Sequence, residues 1–307
     1  MKPLVIYHDH CTDGFGAAFA AWCKLGDSAE YLPMSYGQDF TEDPRDRDVY
    51  ILDFSFPKIT TEWLVNYARE VIWLDHHKTA FEMWCPKHDL PKFVQTEAIP
   101  VSGAKPITCH IVLDNDKSGA MLAWEYFHPD TPVPDLIKRI DDRDRWVFQY
   151  PDSRALHAGL QLTKPWKFEN WKHLVPMNSA FWLGAYGEVV REGEIALQVY
   201  DQQIADRVKV AEKCSIVLSE APTPRPVVGG LAVNSPINQS EIGNELAKAS
   251  GTYGLVWYYD SATKRANVSL RSIGDYDVSA IAKAFGGGGH RNAAGFNIDM
   301  STLLGWI

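Results

Sequence analysis

Short apolar runs, each followed at once by polar residues, set the pattern of the first half of the chain. Residues 4–7, 49–52 and 71–74 are four-residue runs of this kind, which is typical of strands that are buried on both faces. Segments with helical spacing, 14–22 and 60–69, lie between them. This alternation of strand and helix predicts βαβ units and a parallel sheet.

The second half of the chain changes in character after one long charged segment. Residues 186–212 are periodic and free of proline, which predicts a long helix that bridges two domains. The remaining predicted helices are 118–127, 135–140, 240–249 and 278–285, and the remaining predicted strands are 215–218, 227–233, 253–259 and 266–271. We therefore expect an α/β fold: an N-terminal parallel-sheet domain at 1–190, a linker helix at 191–214 and a smaller α/β domain at 215–307.

Composition excludes several classes of protein. A chain of 307 residues that is 46% hydrophobic and 22% charged is globular and long enough for two domains. No apolar run approaches the ~18 residues of a membrane helix, and the N-terminal run is too short for a signal peptide.

The five cysteines form no CxxC pair, so we expect a reducing cytoplasm and no disulfide framework. The formal charge of -9 argues against a long grip on duplex DNA but not against a short nucleotide in a local basic pocket.

Metal-binding side chains follow the apolar runs. The first run leads into 8–14 (His-Asp-His-Cys-Thr-Asp-Gly), the second into Asp53 and the third into 75–77 (Asp-His-His), and a further acidic segment occupies 141–144. Parallel strands bring their carboxyl ends to one edge of a sheet. Any one of these residues alone suits a turn, a cap or a surface role, but independent structural roles explain the conjunction poorly. Imidazole and carboxylate together favour Mn²⁺ or another first-row divalent ion, and two such ions can clamp a phosphoryl oxygen.

A glycine-rich motif near the C-terminus is the second signal. Residues 286–295 read GGGGHRNAAG, and four glycines are costly because each adds backbone entropy that folding must overcome. They favour a close approach of backbone N–H groups to an anion, with His290 and Arg291 adding charge. Arg271 is a candidate second phosphate clamp, and an ordinary role at a strand end is its alternative.

Asp75-His76-His77 after an apolar strand, combined with the distant GGGGH motif, resembles the DHH phosphoesterase superfamily with its DHH-associated C-terminal domain. That superfamily includes RecJ-type exonucleases, nanoRNases, cyclic-dinucleotide phosphodiesterases and family II pyrophosphatases. The resemblance spans nearly the whole chain, since its motifs fall in the expected order from residue 8 to residue 295. A bare DHH triplet would be weak, but the ordered set of motifs is specific.

The resemblance implies a metal-ligand set for two divalent ions, with Mn²⁺ expected and Mg²⁺ or Co²⁺ as alternatives. Its members are His8, Asp13, Asp53, His76 and Asp142. Asp53 would bridge both ions, and Asp141 and Asp144 remain alternatives to Asp142. Relatives often carry two aspartates in the first motif, where this chain has Cys11 in place of the first. Either Cys11 is a ligand, or Asp9 or His10 substitutes for it, or the first ion is held weakly.

The resemblance also implies catalytic and substrate-binding roles. Asp75 would orient a histidine, and His77 would contact the scissile phosphate. The residues expected to hold the terminal phosphate or nucleotide are Arg271, Gly287, Gly288, Gly289, His290 and Arg291.

The function that follows is a metal-dependent phosphodiesterase for short nucleotides: oligoribonucleotides, dinucleotides or cyclic nucleotides. A RecJ-like single-strand exonuclease is one alternative, and a non-catalytic nucleotide-binding module with a degenerate metal site is another. We expect neither long duplex nucleic acid nor a membrane as a partner, and the sequence leaves monomer and homodimer open.

Overall fold

The protein is represented by a computed structural model, which describes residues 1–86, 91–99, 107–175, 184–218 and 225–307. It divides into two compact units, Met1–Leu197 and Gln198–Ile307. The division falls inside a helix, Ala185–Lys209, close to the helix that the sequence predicts at 186–212. In the described part of the chain, no helix combines the length and the apolar composition needed to cross a bilayer.

The first unit is built on a six-stranded sheet with the order β2-β1-β3-β4-β6-β5. Its strands are β1 (Leu4–His8), β2 (Glu30–Met34), β3 (Asp48–Leu52), β4 (Glu70–Asp75), β5 (Lys92–Ile99) and β6 (Ile107–Asp114). All neighbours are parallel except β5 and β6. The three strands that the sequence predicts, β1, β3 and β4, are adjacent in the middle of the sheet. Strands β2, β5 and β6 were not predicted; β2 and β5 are edge strands, and β2 contains a proline, which edge strands tolerate.

Helices cover both faces of this sheet. They are α1 (Thr12–Leu25), α2 (Lys58–Tyr67), α3 (Lys78–Trp84), α4 (Gly119–Phe127), α5 (Asp135–Asp144), α6 (Ser153–Leu162), α7 (Phe168–Lys172) and α8 (Ala185–Lys209). Val5 and Tyr7 of β1 belong to one hydrophobic core, which includes residues of α1 and α4, whereas Leu4 and Ile6 belong to another, with residues of α2 and α3. Burial on both faces is why the central strands are continuous apolar runs.

The second unit has a mixed six-stranded sheet with the order β11-β12-β10-β9-β8-β7. Its strands are β7 (Glu212–Leu218), β8 (Arg225–Asn234), β9 (Tyr253–Asp260), β10 (Arg265–Ser272), β11 (Gly288–His290) and β12 (Ala293–Ile298), and its helices are α9 (Gln239–Ser250), α10 (Val278–Ala284) and α11 (Met300–Leu304). Among the described strands of this unit, β8 and β9 pair in parallel, with α9 as their connection, and the other pairs are antiparallel. Burial alternates along β10, so a strand of this sheet buries one side chain in two. The chain is therefore an α/β protein in both units, as predicted.

Candidate metal centre

Three neighbouring parallel strands end at one edge of the first sheet. His8 is the last residue of β1, Asp75 is the last residue of β4, and Asp53 follows β3 directly. Asp53 has a φ of 53°, a left-handed conformation that is uncommon outside glycine and that aspartate tolerates better than most residues. Its backbone N–H donates to the carbonyl of Leu74 at 2.9 Å. This bond fixes the turn, and the Asp53 side chain is only 1% exposed.

Asp53 lies at the centre of a cluster of histidines and carboxylates. One carboxylate oxygen is 3.7 Å from Nδ1 of His8, and the other is 3.1 Å from Nε2 of His76. The same Nε2 atom lies 3.6 Å from carboxylate oxygens of both Asp13 and Asp144. The structure thus brings together four of the five predicted metal ligands, of which the first and the last, His8 and His76, are 68 positions apart in the chain.

Besides Asp53, Asp75 and His77, two further groups of three described residues in the cluster have donor atoms that all lie within 4.8 Å of one another. The first group is His8, Cys11 and Asp53, and the second is Asp13, His76 and Asp144. Nδ1 of His8 and Oδ1 of Asp53 are buried and have no hydrogen-bond partner among the described residues. Such orphaned atoms are costly unless something satisfies them. A first-row divalent cation would do so, and the mixture of imidazole, carboxylate and thiol donors suits one.

Asp142, the ligand chosen from sequence, lies outside both groups. Its carboxylate accepts hydrogen bonds from the backbone N–H groups of Gln149 (2.8 Å) and Tyr150 (3.2 Å) and from the hydroxyl of Ser153. These three donors hold its carboxylate in place, and Asp142 belongs to none of the ligand groups of the described residues. Asp144 lies two residues further along α5, and positions i and i+2 of a helix do not share a face. The structure thus places Asp144, and not Asp142, beside Asp13 and His76, and which aspartate binds metal stays a prediction.

Asp141 has a structural role as well. One of its oxygens accepts the backbone N–H of Ser118 at 2.8 Å, and the other is 3.2 Å from Nε of Arg145. This bond ties α5 to the residue that caps α4, where Ser118 is the N-cap. Of the three aspartates in the segment 141–144, the last alone belongs to a ligand group in the described residues.

The start of helix α4 holds Asp13. The backbone N–H groups of Gly119 and Ala120 donate to its two oxygens at 2.6 and 2.9 Å, as expected for a carboxylate at a helix N-terminus. Gly119 also packs directly on Asp53, because a Cβ atom there would lie 2.4 Å from the Cβ of Asp53. Sequence reasoning missed this residue; the signal available was a glycine directly after Ser118, at the start of a predicted helix.

Charges within the cluster shift its pKa values in opposite directions. Burial and the charges of Asp53 and Asp144 raise the pKa of Asp13 well above its usual range. Burial alone would raise the pKa of Asp53, but the imidazoles of His76 and His8 outweigh it and lower that pKa. Burial would lower the pKa of His76, but the carboxylates of Asp53, Asp144 and Asp13 raise it well above 6.5. Without a cation, protons on these groups offset the crowded negative charge.

Asp75 orients His77. Its Oδ1 atom is 2.6 Å from Nδ1 of His77 and also accepts the backbone N–H groups of His76 (2.7 Å) and His77 (3.2 Å). Burial would raise the pKa of Asp75, but the charge and hydrogen bond of His77 outweigh it, so the pKa is lowered. An ionised Asp75 fixes the proton of His77 on Nδ1 and directs Nε2 away from itself.

Tyr36 stands beside the cluster with its side chain 52% exposed. Its ring stacks on Phe54 with centroids 4.8 Å apart, and it meets the rings of His8 and His77 edge-on at 5.2 and 6.2 Å. Single exposed aromatic side chains are ordinary, so it is the position of Tyr36 beside both histidines that makes it a candidate substrate contact. No pattern in the sequence marks this residue, because it lies in a turn after the unpredicted strand β2.

The predicted substrate-binding residues belong to the second unit. Arg271 on β10 and His290 on β11 both lie opposite Ala293 of β12, so they form one row across three strands and share a face. The guanidinium of Arg271 donates to the hydroxyls of Ser240 (2.7 Å) and Ser269 (3.0 Å) and is therefore held in position. A second cation, that of Arg291, forms an exposed ion pair with Asp275 at 2.8 Å.

Two of the motif's glycines are required by strand packing. A Cβ atom at Gly287 would lie 2.1 Å from the carbonyl oxygen of Gly295, and one at Gly289 would lie 2.4 Å from that of Ala293. Gly289 also has a φ of 137°, a conformation open to glycine. Close pairing of β11 with β12 thus explains these two positions without a ligand, and the anion cradle formed with Gly288 stays a prediction.

Known proteins with similar sequences cover both units of the chain. Residues 232–303 match the DHHA1 domain. The chain is 30% identical to the uncharacterised protein R106 of Acanthamoeba polyphaga mimivirus, over 95% of this chain and 66% of that protein. It is 43% identical to the oligoribonuclease NrnB of Bacillus subtilis, over 95% of this chain and 72% of that protein. The chain therefore spans slightly less than two thirds of the mimivirus relative.

Among solved structures, the chain is similar to the pGpG-specific phosphodiesterase PggH of Vibrio cholerae. The TM-score is 0.40 and the sequence identity 11%, over 99% of this chain and 95% of that one.

Proposed function

The chain belongs to the DHH phosphoesterase superfamily and carries a DHHA1 domain in its second unit, and on this premise we propose that it is a metal-dependent phosphodiesterase for short nucleotide substrates. One observation carries the proposal: two groups of buried and half-buried donors meet at the carboxyl edge of a parallel sheet, and two buried atoms of the first group, Nδ1 of His8 and Oδ1 of Asp53, have no hydrogen-bond partner among the described residues. That edge is where folds of this class place their sites.

Two divalent ions would be held by two donor sets that meet at Asp53. His8, Cys11 and Asp53 would hold the first ion, and Asp13, His76 and Asp144 the second. Asp53 is close to both histidines, so it is the proposed bridge. Mn²⁺ is the proposed ion, with Mg²⁺ and Co²⁺ as the alternatives to compare. Bound divalent ions supply Lewis acidity and a water of lowered pKa.

The other side chains act through position and charge. Asp75 accepts from Nδ1 of His77 and orients the ring; in the imidazolium form, in which both ring nitrogens carry protons, Nε2 would donate to a non-bridging phosphate oxygen and stabilise the charge that develops there. The backbone N–H groups at the start of α4 hold Asp13 in place, which limits rearrangement during the reaction. Tyr36 offers an exposed ring on which a nucleobase can stack.

Substrate recognition is proposed for the DHHA1 unit. Arg271 and His290 share one face of its sheet, and Arg291 adds a third basic group, so a terminal phosphate is the proposed ligand. The glycine N–H groups would add to this cradle. The Bacillus relative is named an oligoribonuclease, which supports short RNA as the substrate, and the net charge of -9 disfavours long duplexes.

A hydrolysis panel tests the proposal. The full chain is assayed with Mn²⁺, Mg²⁺ and Co²⁺ on cyclic mononucleotides, dinucleotides and a long single strand, and we expect the dinucleotides to turn over fastest. Preference for the long strand would support a RecJ-like exonuclease, and binding without hydrolysis would support a nucleotide-binding module.

Two variants link turnover to the cluster. Asp53→Asn should abolish hydrolysis, because it removes the bridging carboxylate. Asp48→Asn should keep it, since Asp48 lies at the other end of the same strand and pairs with Arg69. Near-normal turnover by Asp53→Asn would reject this centre as the active site.

A further inference from the structure

The two donor groups of the cluster differ in chemistry. The second group offers one imidazole nitrogen and two carboxylates, whereas the first replaces a carboxylate with the thiol of Cys11. Oxygen donors suit Mn²⁺ and Mg²⁺, and a thiolate selects softer ions such as Zn²⁺ and Cd²⁺. The centre is therefore asymmetric before any ion binds.

We propose that Cys11 is a ligand of the first ion and makes that position selective for a thiophilic cation, while the second position keeps its preference for Mn²⁺. This inference rests on the proposed metal centre and adds the identity of the ion at one of its two positions. Donor atoms around a tetrahedral ion with bond lengths of 2.0–2.3 Å lie about 3.3–3.8 Å apart. Nδ1 of His8 and the nearer oxygen of Asp53 are 3.7 Å apart, which fits such an ion.

The residues beside Cys11 do not replace it. His10 pairs with Asp9 at 3.2 Å, and the His10 side chain is 82% exposed. His10 has a φ of 58°, and the chain turns there between β1 and the N-cap position of α1, which Cys11 occupies. Of the three candidates that the sequence leaves open for this position, Cys11 is the one grouped with His8 and Asp53.

The surroundings of Cys11 also differ from those of a packing cysteine. Cys109 and Cys214 are buried members of hydrophobic cores, where a thiol serves as a small apolar side chain. Cys11 belongs to none of the hydrophobic cores of the described residues and instead adjoins an imidazole and a carboxylate. Two atoms of this group, Nδ1 of His8 and Oδ1 of the 1% exposed Asp53, are buried and have no hydrogen-bond partner among the described residues, an independent sign that a cation belongs there.

Cobalt spectroscopy tests the assignment without turnover. The full chain is stripped of metal with a chelator and titrated with Co²⁺, and a thiolate ligand should give a sulfur-to-cobalt charge-transfer band in the near ultraviolet. Cys11→Ser and Cys11→Asp should lose the band. Cys23→Ser should keep it, since Cys23 is an exposed cysteine on α1.

Affinity gives a second measurement. Cys11→Asp should bind Cd²⁺ and Zn²⁺ about 10- to 100-fold more weakly, a loss of the size that altered ligand environments produce, and should bind Mn²⁺ at least as well as the parent. Equal Cd²⁺ affinity of parent and variant would overturn the selectivity. X-ray absorption of the parent loaded with one Zn²⁺ needs no variant: a sulfur neighbour at ~2.3 Å is expected, and nitrogen and oxygen neighbours alone would overturn the proposal.

Failure of this inference is distinguishable from failure of the metal centre. If Co²⁺ binds without the band, and His76→Ala weakens that binding, the centre stands and Cys11 is not a ligand. If Co²⁺ and Mn²⁺ do not bind the folded parent, the proposed function and this inference fall together. Circular dichroism of each variant establishes that it is folded.

Discussion

Replacement of Gly119 by alanine should disable the centre through a single added methyl group. Gly119 is the first residue of α4, and its N–H donates to Asp13. A Cβ atom there would lie 2.4 Å from Cβ of Asp53 and 2.8 Å from its Cγ and Oδ1. The first contact is about 1 Å shorter than the ~3.5 Å at which carbon atoms attract each other. Either the proposed bridge or the start of α4 must therefore move by that amount.

The size of the effect follows from this displacement. A misplacement of about 1 Å can reduce the rate about 100-fold, which corresponds to ~2.7 kcal/mol of transition-state stabilisation. Overpacking should also cost about 1–3 kcal/mol of folding free energy. The Gly119→Ala chain should thus fold with a lower melting temperature and lose most of its kcat/KM, because its metal ligands no longer converge.

The assay combines hydrolysis, metal binding and unfolding. Dinucleotide kcat/KM is measured at saturating Mn²⁺, Mn²⁺ affinity by calorimetry and stability by urea unfolding. Ala123→Gly is the matched control, because it removes a buried methyl group from the same helix, at a cost of ~1 kcal/mol in helix propensity and ~0.8 kcal/mol in lost burial, and adds no atom beside Asp53. If Gly119→Ala keeps kcat/KM within about threefold of the parent, far less than the displacement implies, or if the control falls as far, the steric explanation is refuted.

Three further outcomes follow from the cluster. Asp144→Asn should weaken Mn²⁺ binding and turnover without destabilising the metal-free chain. Asp142→Asn should instead cost ~1–3 kcal/mol of stability through its lost hydrogen bonds and leave turnover of the folded protein intact. Binding and unfolding curves that show the reverse would restore Asp142 as the ligand. The metal-free chain should lose the contribution of His76 to stability as the pH rises above 6.5, because the pKa of His76 is raised well above that value on folding: the contribution is complete below the unfolded pKa and is lost as the pH passes the folded one. Thermal unfolding with chelator and with Mn²⁺ checks this, and a metal-free melting temperature that rises with pH would contradict it. Tyr36→Ala should raise the dinucleotide KM about tenfold, since stacking contributes ~1–3 kcal/mol per base, while Tyr36→Phe should not; a loss confined to kcat would argue against stacking.

Local pattern in the sequence determines the sheet and much of the centre. Strands β1, β3 and β4 are short apolar runs because helices cover both faces of the sheet. Parallel strands share one carboxyl edge, so the residues that follow these runs must meet. His8, Asp53 and the triplet 75–77 could therefore be assigned to one site from their position after a strand alone. The strands that lie at the sheet edges or contain polar residues, such as β2 and β5, carry no such signal.

Tertiary structure decides between residues that local pattern cannot separate. Asp142 and Asp144 are both acids of one short helix, and the difference is that Gln149, Tyr150 and Ser153 occupy the oxygens of the first. The turn at His10, before α1, likewise groups Cys11, and not Asp9 or His10, with His8 and Asp53.

Tertiary structure also gives Gly119 its role, because Asp13 and Asp53, which it contacts, lie 106 and 66 positions away in the chain. Periodicity depends on neighbours along the chain and on which face is buried. The partner that a buried carboxylate finds depends on how distant elements pack, and that is set only when the whole core forms.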